Sequence, residues 1–387
     1  MRLDPREFTS ALKLACRVIP ARAKKPILDY ALATTRSDAI EIVATDLEVL
    51  VRTEVIVADV TPHQRFLIPA HRMLAITQSQ QNGALELEID RNKLILRAGD
   101  FKARFETPDA GEYPEEPRPE LKTVGTTDAG EFLKVLQALK PFCDRDIIRP
   151  RLTGINLRGI GQNIRCSATD GRVLATATLT VVDSQFPMPS FILPATAVEV
   201  MKVAFTGADG MITLTSDGDW LACESGNVTV MARAIEGRYP NIDDLVRIPA
   251  ENITVDVQFD ADEFIHATSL VRAAACSPKI DVARFQIGRD RIIVSMTGEN
   301  GAHAKAVVGV KLVAQEKECT NSLRIAFVVR LLELCVAAVR ALSGCKECRM
   351  VAIDANSPIF FPFDDGIILC MPCVIEEEAE RDGVGEE

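Results

Sequence analysis

Two cysteine pairs are the first residues whose spacing could do chemistry: CKEC (345–348) and CMPC (370–373). Paired C-x-x-C motifs can supply four thiolates to a tetrahedral zinc. Here 21 residues separate the pairs, slightly beyond the usual gap of about 15–20. The second pair lies in GIILCMPCVI, which reads as a buried strand, and residues three apart on a strand face opposite sides. The thiols therefore read as small buried hydrophobes, with no metal and no cofactor implied. The four histidines (His63, His71, His266 and His303) are scattered, with no ligand-like spacing. Asp46 and Asp170 recur in ATD, and a recurrent acid can be catalytic. Their recurrence at matching places points instead to turn caps, since Asp bonds its own backbone two residues on. No nucleophile, base or metal constellation forms, so a non-catalytic protein is expected.

The elements that carry these residues repeat. DPREF (4–8), DAGEF (128–132) and DADEF (260–264) each place an acid three residues before Glu, then Phe. An Asp N-cap accepts a free backbone N–H one turn on, and the Glu can reach back to close a capping box. Pro5 falls at the first helical position, where its missing donor costs nothing. ATDLE (44–48) recurs as ATDGR (168–172), offset by 124, as are the first two helix openers. FLIPA (66–70) recurs as FILPA (191–195), and GEYP (111–114) as GRYP (237–240). Shared order and nearly constant spacing mean duplicated domains. The third copy is more worn: ARFQIGRDRIIVSMTGEN follows DADEF, and LRIAFVVRLLELCVAAVRAL stands where FILPATAVEVMKVA would. Expected boundaries are 1–124, 125–249 and 250–375, followed by an acidic tail, 376–387, read as disordered.

Within each copy, Phe8, Ala11, Leu12 and Ala15 (matched by Phe132, Val135, Leu136 and Leu139) make one apolar helix face. Alternating strands follow, then a second helix opened by Pro69 or Pro194, then a hairpin. The fold class is α+β, with helices on one sheet face. Formal charge is −11, which argues against a protein that grips nucleic acid over its whole surface but not against one basic face. No apolar run reaches the ~20 residues needed to cross a bilayer, and the start lacks a signal-peptide pattern. A cytoplasmic protein is expected.

In order, KPILDYALA (25–33), ATDLE, the IPA helix start, GEYP, ATDG, LPA, GRYP, SPIFF (357–361) and MPCVI (371–375) resemble the bacterial DNA polymerase III beta subunit, the sliding clamp family. The resemblance covers about residues 1–375. It implies the DNA clamp fold, three domains per chain, with two chains as a homodimer closing a ring, helices lining the hole and sheets outside. It also implies no catalysis. Such a ring encircles double-stranded DNA without reading its sequence. It tethers the DNA polymerase III alpha subunit, the clamp loader and repair proteins through short linear motifs.

The resemblance carries site residues with it. Arg22 and Lys24 precede PILDY, where the family places a DNA-contacting cation. Arg145 and Arg149 lie in a loop near family DNA contacts, and Arg72 and Lys202 sit on second helices. The family's peptide groove carries over to Leu152, Thr169, Gly171, Leu174, Pro240, Asn356, Pro358, Met371 and Pro372. The chain departs from the family at Arg172 and Val173, after ATDG, and in the longer stretch through Leu245, after GRYP. Fewer cations there and an acidic tail predict a partner motif of different charge preference. At the ring joint Phe105 matches, while Ala275 and Cys276 stand where bulkier aliphatics are common. Two such truncations could cost a few kcal/mol, so a weaker dimer is expected. The departures leave open a clamp-like paralogue that binds polymerase or repair partners without being the main processivity factor.

Overall fold

The computed structural model describes residues 1–20, 25–79, 84–90, 92–184, 188–208, 210–249, 252–275, 277, 281–298, 301–313 and 322–373. Arg22, Lys24, Cys276 and the tail therefore lie outside the described residues. Six α-helices appear among those described: α1 (Pro5–Val18), α2 (Ala70–Ser79), α3 (Ala129–Leu139), α4 (Ala195–Phe205), α5 (Ala261–Ala275) and α6 (Val329–Ser343).

The three predicted openers do start helices. Asp4 Oδ1 accepts Arg6 N and Glu7 N (2.7 and 3.2 Å), Asp128 Oδ1 accepts Glu131 N (2.8 Å), and Asp260 Oδ1 accepts Asp262 N and Glu263 N (both 2.9 Å). In the second and third copies the capping box does not close. Glu131 Oε1 instead accepts Thr180 N (3.0 Å), and Glu263 Oε1 accepts Gly309 N (3.3 Å). The N–H groups of Ala129 and Ala261, the first helical residues, bond Gly210 O and Lys346 O. The two glutamates instead tie their helices to neighbouring segments.

The repeats number three, yet the chain divides into two compact units. Unit 1 comprises Met1–Lys140, Asp146–Cys166 and Leu179–Tyr239; unit 2 comprises Pro141–Arg145, Ser167–Thr178 and Pro240–Glu387. The reason is that one repeat's sheet is continued by the next. Strand Val228–Arg233 of the second copy pairs antiparallel with Val49–Ala58 of the first, Met231 opposite Leu50. Likewise Val173–Leu179 of the second copy pairs with Gly366–Cys370 of the third, Leu174 opposite Leu369. Each junction is a ladder of backbone hydrogen bonds, so contact density does not fall where the sequence repeat ends.

Unit 1 holds a branched 12-stranded sheet whose edges are Phe101–Glu106, Lys122–Asp128 and, on the branch, Arg65–Ile68. The helices α2, α1, α4 and α3 pack side by side in that order. α1 lies on Ala39–Thr45 and Val49–Ala58, α4 on Val228–Arg233, and α3 on Lys122–Asp128. Phe8, Leu12, Phe132, Leu136 and Met201 are fully buried beneath them. Another buried group, Leu32, Val43, Leu50, Leu67, Ala222 and Met231, is closed over by Tyr113 of GEYP.

In unit 2, α5 and α6 pack together. α5 covers the sheet formed by His303–Gly309, Arg291–Thr297, Val282–Ile287 and Leu323–Val328, in that order. α6 covers Gly366–Cys370, Ile359–Phe363 and Glu347–Ala352. Gly366 is obligatory in this ladder: a Cβ there would lie 2.1 Å from Thr176 O.

Candidate nucleic-acid interface and partner-docking surface

On α1 the apolar face predicted from Phe8, Ala11, Leu12 and Ala15 is buried. That leaves Arg6, Lys13 and Arg17 exposed on the other side. Arg72 on α2, Lys134 on α3 and Lys202 on α4 are exposed too. None of these six stands in an ion pair among the described residues. Against them the four helices carry three acids: Glu7, Glu131 and Glu199. Two of the three are occupied. Glu131 holds Thr180 N. Glu199 is bonded by Lys140, which holds its carboxyl below the usual carboxylate range, with smaller help from Lys202 and Arg17. A chain of net charge −11 thus concentrates free positive charge on one helical layer. Exposed cations spread along helices suit phosphates, which carry charge but no sequence information.

Of the predicted DNA contacts, Arg72 and Lys202 lie on this layer, and Arg145 and Arg149 are exposed in the loop after α3. Asp146 Oδ1 accepts Ile148 N (2.9 Å) in that loop. Sequence reasoning missed Arg6, Lys13, Arg17 and Lys134. The signal was present, since Arg6, Lys13 and Arg17 recur at helical spacing opposite the apolar face.

The helices of unit 2 also carry cations, but every one is engaged. Arg272 pairs with Glu333 (3.3 Å), Arg330 with Asp281 (2.5 Å), and Arg340 with Asp262.

All but Leu152 of the predicted docking residues lie in unit 2. Thr169 Oγ1 donates to Val173 O (2.6 Å) and accepts Gly171 N (3.0 Å). Asp170 Oδ1 accepts Arg172 N (2.8 Å) and Val173 N (3.0 Å). The expected role of Asp170 as a turn cap is met, and Asp46 does the same in the first copy. Gly171 takes φ +91°, which only glycine adopts without strain. Beyond the turn, Val173 and Ile359 both face Cys370. Continuing that register by one residue aligns Arg172, Met371 and Pro358 in a row, and Met371 N donates to Arg172 O (2.8 Å).

Along this row Arg172 and Met371 are exposed, Met371 by 42%, and Pro358 is half-buried. Pro240, Leu245 and Asn356 are exposed and Pro372 half-buried, while Asn356 N is held by Asp354 Oδ1 (2.8 Å). Val173 and Leu174 are 2% and 3% exposed. Both side chains are therefore interior rather than surface. Leu152, buried in unit 1, and Thr169, buried by its turn, complete the predicted set.

At the expected ring joint, Phe105 sits half-buried on the edge strand Phe101–Glu106. Ala275 offers no side chain to another molecule. It is 4% exposed at the end of α5, its carbonyl lying where a Cβ on Gly298 would be. The exposed apolar residues nearby are Leu270 on α5 and Val307 on the edge strand His303–Gly309.

Among the described residues no three His, Cys, Asp or Glu side chains could share a metal ion. Burial pushes Cys348 up to about 12, and buried Cys335, beside Cys370, is raised as well.

Residues 1–117 match the DNA polymerase III beta subunit N-terminal domain, and 127–241 its central domain. The chain belongs to the DNA polymerase III beta subunit family. Its relatives include the beta sliding clamp of Pseudomonas putida, 20% identical over 93% of this chain and 96% of that one. The beta sliding clamp of Micrococcus luteus is 26% identical over 69% and 86%. The DNA polymerase III beta subunit of Pseudomonas aeruginosa superposes with a TM-score of 0.87 at 19% identity, covering 97% and 99% of the two chains. That of Thermotoga maritima gives 0.86 at 19%, with the same coverage. The clamp fold of three repeats is thereby this chain's fold.

Proposed function

We infer that this protein is a beta sliding clamp. Two copies close around duplex DNA, which passes over the α1–α4 layer, and the ring tethers a replicative polymerase without catalysing a reaction. The observation that carries this reading is the set of six exposed, unpaired cations on the helices of an acidic member of this family. Non-specific contacts of this kind bind duplex DNA weakly, with Kd on the order of 10⁻⁴–10⁻⁶ M at physiological salt. A closed ring needs no more, and tighter contacts would slow sliding.

The three domains, 1–124, 125–249 and 250–375, make half of the ring. Its joint is formed by sheet edges, which expose unpaired backbone groups and are normally covered or paired. Phe101–Glu106, with Phe105, and His303–Gly309, with Val307, are the edges available for that pairing. The weaker dimer expected from Ala275 and Cys276 loses half its basis, because Ala275 is interior. The polymerase alpha subunit, clamp loader and repair proteins dock by short peptides on the Arg172–Met371–Pro358 row, with Leu245 and Pro240 beside it. Arg172 and the exposed Asp244 make the charge preference of that motif distinctive. Among the described residues no helix is long and apolar enough to cross a membrane; a clamp on chromosomal DNA would work in the cytoplasm.

A primer-extension assay on circular single-stranded template, with loader and polymerase, tests the reading. Product length should rise severalfold when the protein is added. Unchanged length, with loader and polymerase active on another clamp, would contradict it.

A further inference from the structure

Unit 1 repeats the docking row of unit 2 with different side chains. Thr45 Oγ1 donates to Val49 O (2.8 Å) and accepts Leu47 N (2.9 Å), and Asp46 Oδ1 accepts Glu48 N (3.0 Å) and Val49 N (2.7 Å). These are the bonds of the Thr169–Val173 turn. Arg233 N then donates to Glu48 O (2.8 Å), as Met371 N does to Arg172 O. Arg233 lies opposite Trp220. The row is Glu48–Arg233–Trp220, where unit 2 has Arg172–Met371–Pro358. Side chains alternate along strands, so these three share a face with Leu50, Met231 and Ala222, the face that Tyr113 closes.

Two features set this row apart from that of unit 2. Leu47 takes φ +81° where the other turn has glycine at +91°. That conformation is disfavoured for any residue with a Cβ, yet the leucine side chain is 43% exposed. A glycine would relieve the strain. Trp220, the sole tryptophan of the chain, is left half-buried at the other end of the row, packed at the rim of the apolar cluster with Ile27, Tyr30 and Leu121. Around it Glu48, Asp219 and Glu236 are exposed, and Arg233 meets Glu236 at 3.8 Å. Three acids against one cation repel phosphate and attract a basic chain.

We propose that the Leu47–Glu48–Arg233–Trp220 row is a second docking site, for an extended basic peptide segment of a partner protein. An apolar side chain of the peptide packs on Leu47 and Trp220, and flanking Lys or Arg meets Glu48 and Asp219. The site extends the docking reading of unit 2 to a surface of opposite charge, so one ring can hold two partners that do not compete.

Trp220 emission is its own reporter. The full-length protein is titrated with a nine-residue peptide carrying a Leu-Phe pair flanked by lysines, and with its glutamate-flanked counterpart. The lysine peptide should give a saturable emission change, at least tenfold weaker for the glutamate peptide and for Glu48→Lys. Leu47→Gly, which relieves strain and so keeps the fold, should also weaken binding severalfold. Met371→Ala should leave the response in place. No response to millimolar peptide, equal response to both peptides, or loss of response in Met371→Ala would each overturn the proposal. So would an emission change on dilution without peptide, which would mean that a second copy covers the row. Retention on circular DNA, measured on the same sample, reports the clamp reading separately, so either can fail alone.

Discussion

The helices of unit 1 and unit 2 descend from the same repeat but place their charge differently. In α1–α4, Arg6, Lys13, Arg17, Arg72, Lys134 and Lys202 are exposed and have no ion-pair partner among the described residues. In α5 and α6, Arg272, Arg330 and Arg340 are each held by a carboxylate. An arginine already bonded to Glu333 or Asp262 can reach a phosphate only by giving up that bond, and partly exposed pairs are worth about 0.2–1 kcal/mol. The cost per contact is small, but it removes most of the gain from a single phosphate. Under the proposed function unit 1 is the part expected to meet the duplex, while unit 2 uses its helix cations in ion pairs of its own.

Reversing charge on the two layers separates them most widely. Lys13→Glu with Arg17→Glu should weaken binding to a short duplex at least tenfold. It should also flatten the dependence of log K on log salt by about 2, since each phosphate contact contributes roughly 0.9. Arg272→Glu with Arg340→Glu should change that slope by less than one. A larger loss from the second pair, measured by fluorescence anisotropy, would invert the comparison.

Helix caps test the same division from the side of stability. Asp128→Ala leaves the N–H of Glu131 unpaired at the start of α3 and should cost about 1 kcal/mol, read as a lower urea midpoint. Asp260 caps α5 in the same way, and its carboxyl is held below the usual range by the Glu263 and Asp262 N–H groups. A depressed carboxylate stabilises the fold above the ordinary carboxylate range, and the benefit is lost as pH falls through its folded pKa. An acid titration followed by circular dichroism should therefore show the wild type holding to lower pH than Asp260→Asn. Coincident acid transitions would remove this role.

A smaller effect would make unit 2 more like unit 1. Glu333→Gln frees Arg272, and affinity for duplex should rise two- to threefold, with no change in fold. Glu199→Gln frees Lys140 in unit 1 in the same sense. Because Lys140 keeps the Glu199 carboxyl below the usual range, wild-type affinity should show no contribution from this acid between pH 5 and 8. Any inflection there that Glu199→Gln abolishes would contradict the pairing.

What could be read from sequence was what depends on near neighbours. Asp4, Asp128 and Asp260 cap helices because the donors they satisfy lie two or three residues away, and Asp46 and Asp170 fix their turns for the same reason. The repeat was legible because those local solutions recur in order. What depended on tertiary approach was not legible. Nothing near Glu131 in the chain says that it will bond Thr180, nor that Arg272 will find Glu333, 61 residues on. The ladder from Met231 to Leu50 crosses a repeat boundary, so three sequence units fold as two compact ones. Ala275 reads as a surface residue only until Gly298 is seen to need the space beside it. Leu174 and Val173, carried over as groove walls, are buried in a sheet that a strand of the third repeat continues, with Thr176 bonded to Ile367, 191 residues on.

The central claim, that this protein holds DNA by surrounding it, is tested most directly by loading it onto a nicked circular plasmid and then cutting the circle once. The account predicts retention for many minutes on the intact circle and release within seconds of the cut, at a salt concentration where a short duplex binds only weakly. Equal retention before and after linearisation would contradict it.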